Sequence, residues 1–111
     1  MKRGDLITVA ASGDYGKPRP AIIVQSDYIP QTESILVALI TSDIADTPLY
    51  RLSLVPSDIN GLRAPSQIMI DKILAVPRAK CGGVIGRVDR ESLKVLNQKL
   101  ILIMGLSDFE S

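Results

Sequence analysis

Residues 35–43 read ILVALITSD. An amphipathic strand would place a polar residue at every second position. Here six apolar residues, Ile35 to Ile40, run without a break before Thr41. A run of this length, rich in β-branched residues and closed by turn formers, predicts a strand over Ile35–Thr41 buried on both faces. It ends on two hydroxyls, Thr41 and Ser42, which are strand-end turn formers or groups able to hydrogen-bond a phosphate.

A second run of the same kind lies upstream, Ala21–Gln25 (AIIVQ), and predicts another strand buried on both faces. Asp5–Ala10 (DLITVA) predicts the first strand, and Ser12 to Pro18 is turn chemistry with two Gly, an Asp and a Pro. In Leu49–Val55, the set Leu49, Arg51, Ser53 and Val55 alternates with Tyr50, Leu52 and Leu54, the pattern of a strand with one wet face. Ser66–Ile70 and Lys72–Val76 are two short strands or one bent strand, broken or bulged near Asp71 and ended by Pro77. The glycine-rich 82–86 (GGVIG) has no feeding strand and no Walker lysine, and reads as a bulge or turn where only Gly fits.

Past residue 88 the period changes. Asp89 is a good helix N-cap and Glu91 suits the helix dipole. Leu93, Leu96, Leu100 and Ile103 recur on one face, Val95, Leu102 and Leu106 widen it, and Gly105 is the stop. A helix that apolar must dock on a platform. The fold class is therefore mainly β (α+β): a curled sheet of five to seven strands with a C-terminal helix.

The chain has 111 residues, 46% of them hydrophobic, which suits one domain over residues 1–111. No run reaches membrane-span length, and Met1-Lys2-Arg3-Gly4-Asp5 is not the start of a signal peptide, so a cytoplasmic protein with no membrane contact is the expectation. Residues 1–60 carry five Lys/Arg against seven Asp/Glu, and residues 61–111 carry eight against five. The second half is thus mildly basic, through Arg63, Lys72, Arg78, Lys80, Arg87 and Arg90, which is solvated surface or a face toward phosphates.

With no histidine and one cysteine, Cys81, the usual zinc sites and the Cys/His and Ser/His nucleophile systems are closed. Arginine, hydroxyls and carboxylates remain. They suffice for RNA cleavage, where the substrate brings its own nucleophile, the 2′-hydroxyl, and the protein positions the chain and stabilises transition-state charge. In Gly16–Asp27 (GKPRPAIIVQSD), Arg19 stands between Pro18 and Pro20. A residue before proline is held extended, so Lys17 and Arg19 both have restricted backbones. Arg19 is then a strand cap paired to a surface carboxylate, or a guanidinium held rigidly for a charged transition state. Tyr15 is the one aromatic in the first loop, a turn residue or a platform for a stacked base.

In order along the chain, Arg3-Gly4-Asp5, Arg19-Pro20 before an Ile/Val strand, Leu39-Ile40-Thr41-Ser42, and Val84-Ile85-Gly86-Arg87-Val88-Asp89 before the closing helix resemble the MazF/PemK (Kid) family of toxins from type II toxin–antitoxin systems. The resemblance implies a small SH3-like curled antiparallel barrel with a C-terminal helix. It implies a homodimeric, sequence-specific endoribonuclease that cuts single-stranded RNA without metal or cofactor and is blocked by a cognate antitoxin. It places Arg19 and Thr41 at the catalytic positions, with Ser42 beside them. Asp71 falls where PemK-like members carry a functional aspartate, and Tyr15, Lys17 and Gln67 complete the expected substrate contacts. The first loop, Ala11–Pro18, is shorter than in many members, and Met69 stands where some carry an arginine. A CcdB-like toxin, which shares the fold and poisons DNA gyrase without catalysis, is the alternative. Val24-Gln25-Ser26-Asp27 resembles that relative, but the Trp it needs near the C-terminus is absent. A catalytically inactive interaction module is the third reading.

Overall fold

The computed structural model describes residues 1–10 and 17–107. Six strands form one antiparallel sheet: β1 (Asp5–Val9), β2 (Arg19–Ile23), β3 (Ser34–Thr41), β4 (Arg51–Leu54), β5 (Ser66–Pro77) and β6 (Cys81–Arg87), in the spatial order β4-β5-β3-β2-β1-β6. One α-helix, α1 (Arg90–Ile103), follows, and a single 3-10 turn at Arg78–Lys80 joins β5 to β6.

The apolar runs of β1, β2 and β3 are buried on both faces because successive side chains leave a strand in opposite directions. Leu6, Ile22, Ala38 and Ile40 form one core with Leu54, Ile68 and Ile70, and α1 covers it with Leu96 and Leu100. Their chain neighbours Ile7, Ala21, Ile23 and Val37 join Val9, Ile35 and Val76 in a second core. Leu36 departs from the expectation, at 43% exposure. β4 has the one wet face that its alternation predicts: Tyr50, Leu52 and Leu54 pack on the first core, while Ser53 and Val55 are exposed.

β5 is one bent strand. Its register against β3 jumps from Ile40↔Ile68 to Ala38↔Ile73, so the extra residues bulge at 69–72, around Asp71, and the strand ends on Pro77. The helix signals also hold. Asp89 Oδ1 accepts from Ser92 N–H at 2.6 Å, and that backbone bond, with a contribution from the Ser92 side chain, holds the Asp89 carboxyl below its usual range. Gly105, at φ +67°, closes a Schellman cap in which Leu106 N–H donates to Ile101 O and Gly105 N–H to Leu102 O.

Two expectations need correction. The 82–86 stretch is bulged, as one of its two readings has it, but it is not a turn: with Cys81 and Arg87 it is a strand, β6, paired to β1 through two register shifts. Its glycines hide the strand pattern because two of them accept close neighbours instead of carrying side chains. A Cβ on Gly82 would lie 2.0 Å from Thr8 Oγ1, and one on Gly86 would lie 2.3 Å from the backbone carbon of Asn60. The second correction is that the sheet curls without closing into a barrel. β4 and β6 are its edges, and β6 meets the turn after β4 through a single bond, Arg87 N–H to Ile59 O at 2.9 Å. With only four residues, β4 leaves the ladder before β6 can pair with it.

Gly86→Ala should therefore lower stability by at least about 2 kcal/mol, because the obstructing atoms are backbone. A Cβ added at Gly83 would meet nothing within 4 Å, so alanine there should be tolerated to within about 0.5 kcal/mol. Urea unfolding of the two variants checks the contrast.

Candidate active site

The pairing of β2 with β3 runs Ala21↔Leu39, Ile22↔Ala38 and Ile23↔Val37. The same register carried two residues back sets Arg19 level with Thr41. The ladder stops at Ala21 because Pro20 has no N–H to donate. On its other side β2 continues against β1, with Pro20 opposite Thr8 and Arg19 opposite Val9. Arg19 is thus held in a strand from one side at the point where the other side opens. Residues opposite each other in an antiparallel pair project from the same face about 5 Å apart, so this register is what brings Arg19 and Thr41 together.

Both border one open groove of about 710 Å³, with Lys17, Ser42, Thr8, Leu62 and Arg63. Its described lining contains three cations, Lys17, Arg19 and Arg63, and no carboxylate. Thr41 Oγ1 accepts the N–H of Asp43 at 3.0 Å. The hydroxyl is therefore a turn former, as its position at the strand end suggests, and it keeps its own proton free to donate into the groove.

Gln67 lies opposite Thr41 across the β3–β5 ladder but is outside the groove lining. It is 5% exposed, and its amide is fully engaged. Oε1 accepts from Ala45 N–H at 3.0 Å and Arg51 Nη1 at 2.8 Å, while Nε2 donates to Ala45 O at 3.0 Å. Arg51 Nη1 also donates to Asp43 O at 3.1 Å. This network anchors the segment that follows Thr41 and Ser42, so Gln67 supports the groove from behind. Asp71 is exposed at the β5 bulge and is not among the groove residues. Tyr15 lies outside the described residues. The structure thus gathers Arg19, Thr41, Ser42 and Lys17, and leaves Gln67 and Asp71 apart from them.

Thr8 is a groove residue that sequence reasoning did not name, and Arg63 is one that it named only among six basic residues of the second half, without a place in a site. Arg63 had a local signal, the Asn60-Gly61 turn pair just ahead of it. Elsewhere, Arg3-Gly4-Asp5 is structural: Arg3 Nε donates to Val24 O at 2.9 Å, and Gly4 takes φ +92° to turn into β1. Cys81 is half-buried, and burial raises its thiol pKa against a smaller opposing effect of Arg78. Among the described residues no helix is long and apolar enough to cross a membrane.

A mainly β curled sheet with one closing helix carries the groove, and this architecture is that of the MazF fold. The family model for the PemK-like, MazF-like toxin of type II toxin–antitoxin systems matches residues 2–104, and the chain belongs to that family. A relative from Mycolicibacterium smegmatis (strain ATCC 700084 / mc(2)155), a probable endoribonuclease MazF, is 37% identical over 108 residues, covering 96% of this chain and 99% of that protein. Among solved structures, a mycobacterial endoribonuclease in complex with its cognate antitoxin superposes with a TM-score of 0.80 at 20% identity, covering 96% of each chain. The Mycobacterium tuberculosis toxin MazF-mt6 superposes at 0.78 and 20% identity, over 91% of this chain and 96% of that one. These likenesses set the MazF/PemK reading above the CcdB-like alternative.

Gln67→Ala should cost about 1–3 kcal/mol, because it removes the side-chain partner of both the N–H and the carbonyl of half-buried Ala45 and leaves Arg51 Nη1 with Asp43 O alone. Asp71→Asn should stay within about 0.5 kcal/mol. Chemical denaturation of both checks the assignment of Gln67 to the scaffold.

Proposed function

We propose that this chain, acting as one unit over residues 1–111, is the toxin enzyme of a type II toxin–antitoxin pair, an endoribonuclease that cuts single-stranded RNA in the cytoplasm. The register that sets Arg19 level with Thr41 at a groove whose described lining holds three cations and no carboxylate carries the reading, and the 37% identity to a probable endoribonuclease supports it.

In this mechanism the RNA supplies the nucleophile. The 2′-oxygen forms a bond to the adjacent phosphorus, and the bond from phosphorus to the 5′-oxygen breaks. The 2′-hydroxyl loses a proton to water and the 5′-oxygen gains one from water. The products are a 2′,3′-cyclic phosphate and a 5′-hydroxyl end. Arg19 stabilises the charge that builds on the phosphoryl oxygens. Its guanidinium is planar, bidentate and permanently charged, which suits it to that role and makes it a poor proton donor. Thr41, its acceptor side occupied by Asp43 N–H, donates to a phosphate oxygen, with Ser42 as a neighbouring contact. No step draws on a metal or cofactor.

The active form we propose is a homodimer whose groove a cognate antitoxin covers. The single chain exposes Leu36, Ile101, Met104 and Leu106 around an apolar depression of about 420 Å³, surface that association with a second copy would cover.

The purified protein should cleave single-stranded RNA in excess EDTA and leave 2′,3′-cyclic phosphate ends. Arg19→Ala should slow cleavage at least about 100-fold, the scale of losing one preorganised charge-stabilising donor, with a circular dichroism spectrum that shows the fold intact. Cleavage abolished by EDTA, or unimpaired in Arg19→Ala, would contradict the mechanism.

A further inference from the structure

Between β4 and β5 the chain runs through residues 55–65, and this connection is built more rigidly than its exposure suggests. Asn60, 7% exposed, is its hub. Its Oδ1 accepts from Ser57 N–H and Leu62 N–H, each at 3.0 Å, its Nδ2 donates to Val55 O at 2.8 Å, and its own N–H donates to Ser57 Oγ at 3.1 Å. Gly61, at φ +69°, packs so tightly on β6 that a Cβ there would sit 2.1 Å from Ile85 O. Arg87 N–H to Ile59 O ties the same turn to β6. On the far side, Ser66 Oγ donates to Ala64 O at 2.8 Å, at the start of β5.

Arg63 lies between these two anchors and borders the groove, with Lys17, Arg19, Thr41 and Ser42. Other arginines of the chain are engaged in holding it together. Arg78 donates to Thr32 O at 2.5 Å and Pro30 O at 2.9 Å, and Arg51 is committed to Gln67 and Asp43. Arg63 is exposed and makes no hydrogen bond or ion pair among the described residues. Arg63 is thus a spare guanidinium on a fixed backbone, and it adds its charge to a groove that Lys17 and Arg19 also border. A polyanion complements such a guanidinium.

Resting on the ribonuclease reading, we propose that Arg63 is a phosphate-binding residue of the groove. It holds the RNA backbone at a phosphate away from the scissile one, so that it supplies substrate affinity and register and leaves the chemical step to Arg19 and Thr41. The mild excess of basic residues in the second half of the chain then reaches the groove through this one side chain, since Lys72, Arg78, Lys80, Arg87 and Arg90 are not among the groove residues.

The test is steady-state cleavage of a mixed-sequence single-stranded RNA across a range of salt, with wild type, Arg63→Ala, Arg63→Lys and, as a control cation outside the groove, Arg87→Ala. Arg63→Ala should raise KM about fivefold with kcat within about twofold. It should also make the log–log dependence of kcat/KM on salt shallower by about 0.7, the contribution of one phosphate contact on a single strand. Arg63→Lys should restore the salt dependence, and Arg87→Ala should match wild type. If wild type cleaves and Arg63→Ala keeps both its KM and its salt dependence, the assignment of Arg63 is overturned while the ribonuclease reading stands. A defect confined to kcat, or shared equally by Arg87→Ala, also overturns it. If wild type gives no RNA products, the ribonuclease reading fails and this inference fails with it.

Discussion

The pairing register between β2 and β3 is the constraint on which the rest of this molecule depends. Three pairs, from Ala21↔Leu39 to Ile23↔Val37, fix it, and the buried Ala21, Ile22, Ile23, Val37 and Ala38 hold it. A slip by one residue would move the apolar set of each strand to the other face. Both faces of these strands are occupied by cores, so the slip is opposed from both sides. The position of Arg19 relative to Thr41 is therefore a by-product of core packing, secured by residues that never meet a ligand. Pro20 then ends the ladder on the β3 side and leaves the two polar groups at an open edge instead of within a sheet.

The remaining structure frames that opening. On one side the Gln67 and Arg51 network fastens the segment after Thr41, using buried polar groups whose partners are matched almost completely; Arg51 Nε and Thr47 Oγ1 are the buried exceptions among the described residues. On the other side, β6 and the turn after β4 meet backbone to backbone through Gly61 and Gly86, a contact no side chain would permit. The curl of the sheet, completed by this contact and not by a strand ladder, carries Arg63 round to face the same groove as Arg19.

Much of this was legible in the sequence, and the legible parts share a cause. β3 and the helix were readable because their signals are local: an unbroken apolar run, an N-cap aspartate, a terminal glycine. The bulge at Asp71 and the stop at Pro77 follow from the same kind of signal. β2 was placed two residues late, since a run read by apolarity starts at Ala21, whereas the β1 ladder already includes Arg19 and Pro20. β6 was missed because its information lies in what its glycines contact, Thr8 and Asn60, both distant in sequence. Gln67 looked like a substrate contact for a related reason: its polar character is plain in the sequence, but its burial and its partner Ala45 exist only in the fold. Arg19, Thr41 and Ser42 were expected together from the family resemblance and not from any strand pairing read in the sequence, while Arg63 arrives by a turn whose course the sequence does not give.

The most direct measurement is a double-mutant cycle on cleavage of single-stranded RNA with the mild replacements Arg19→Lys and Thr41→Ser, followed as kcat/KM. If both side chains act on one phosphate, as we propose, the double variant should fall short of the product of the single losses by a coupling of at least about 1 kcal/mol. Losses that simply multiply would show that the two groups act independently, and would contradict a single site shared between β2 and β3.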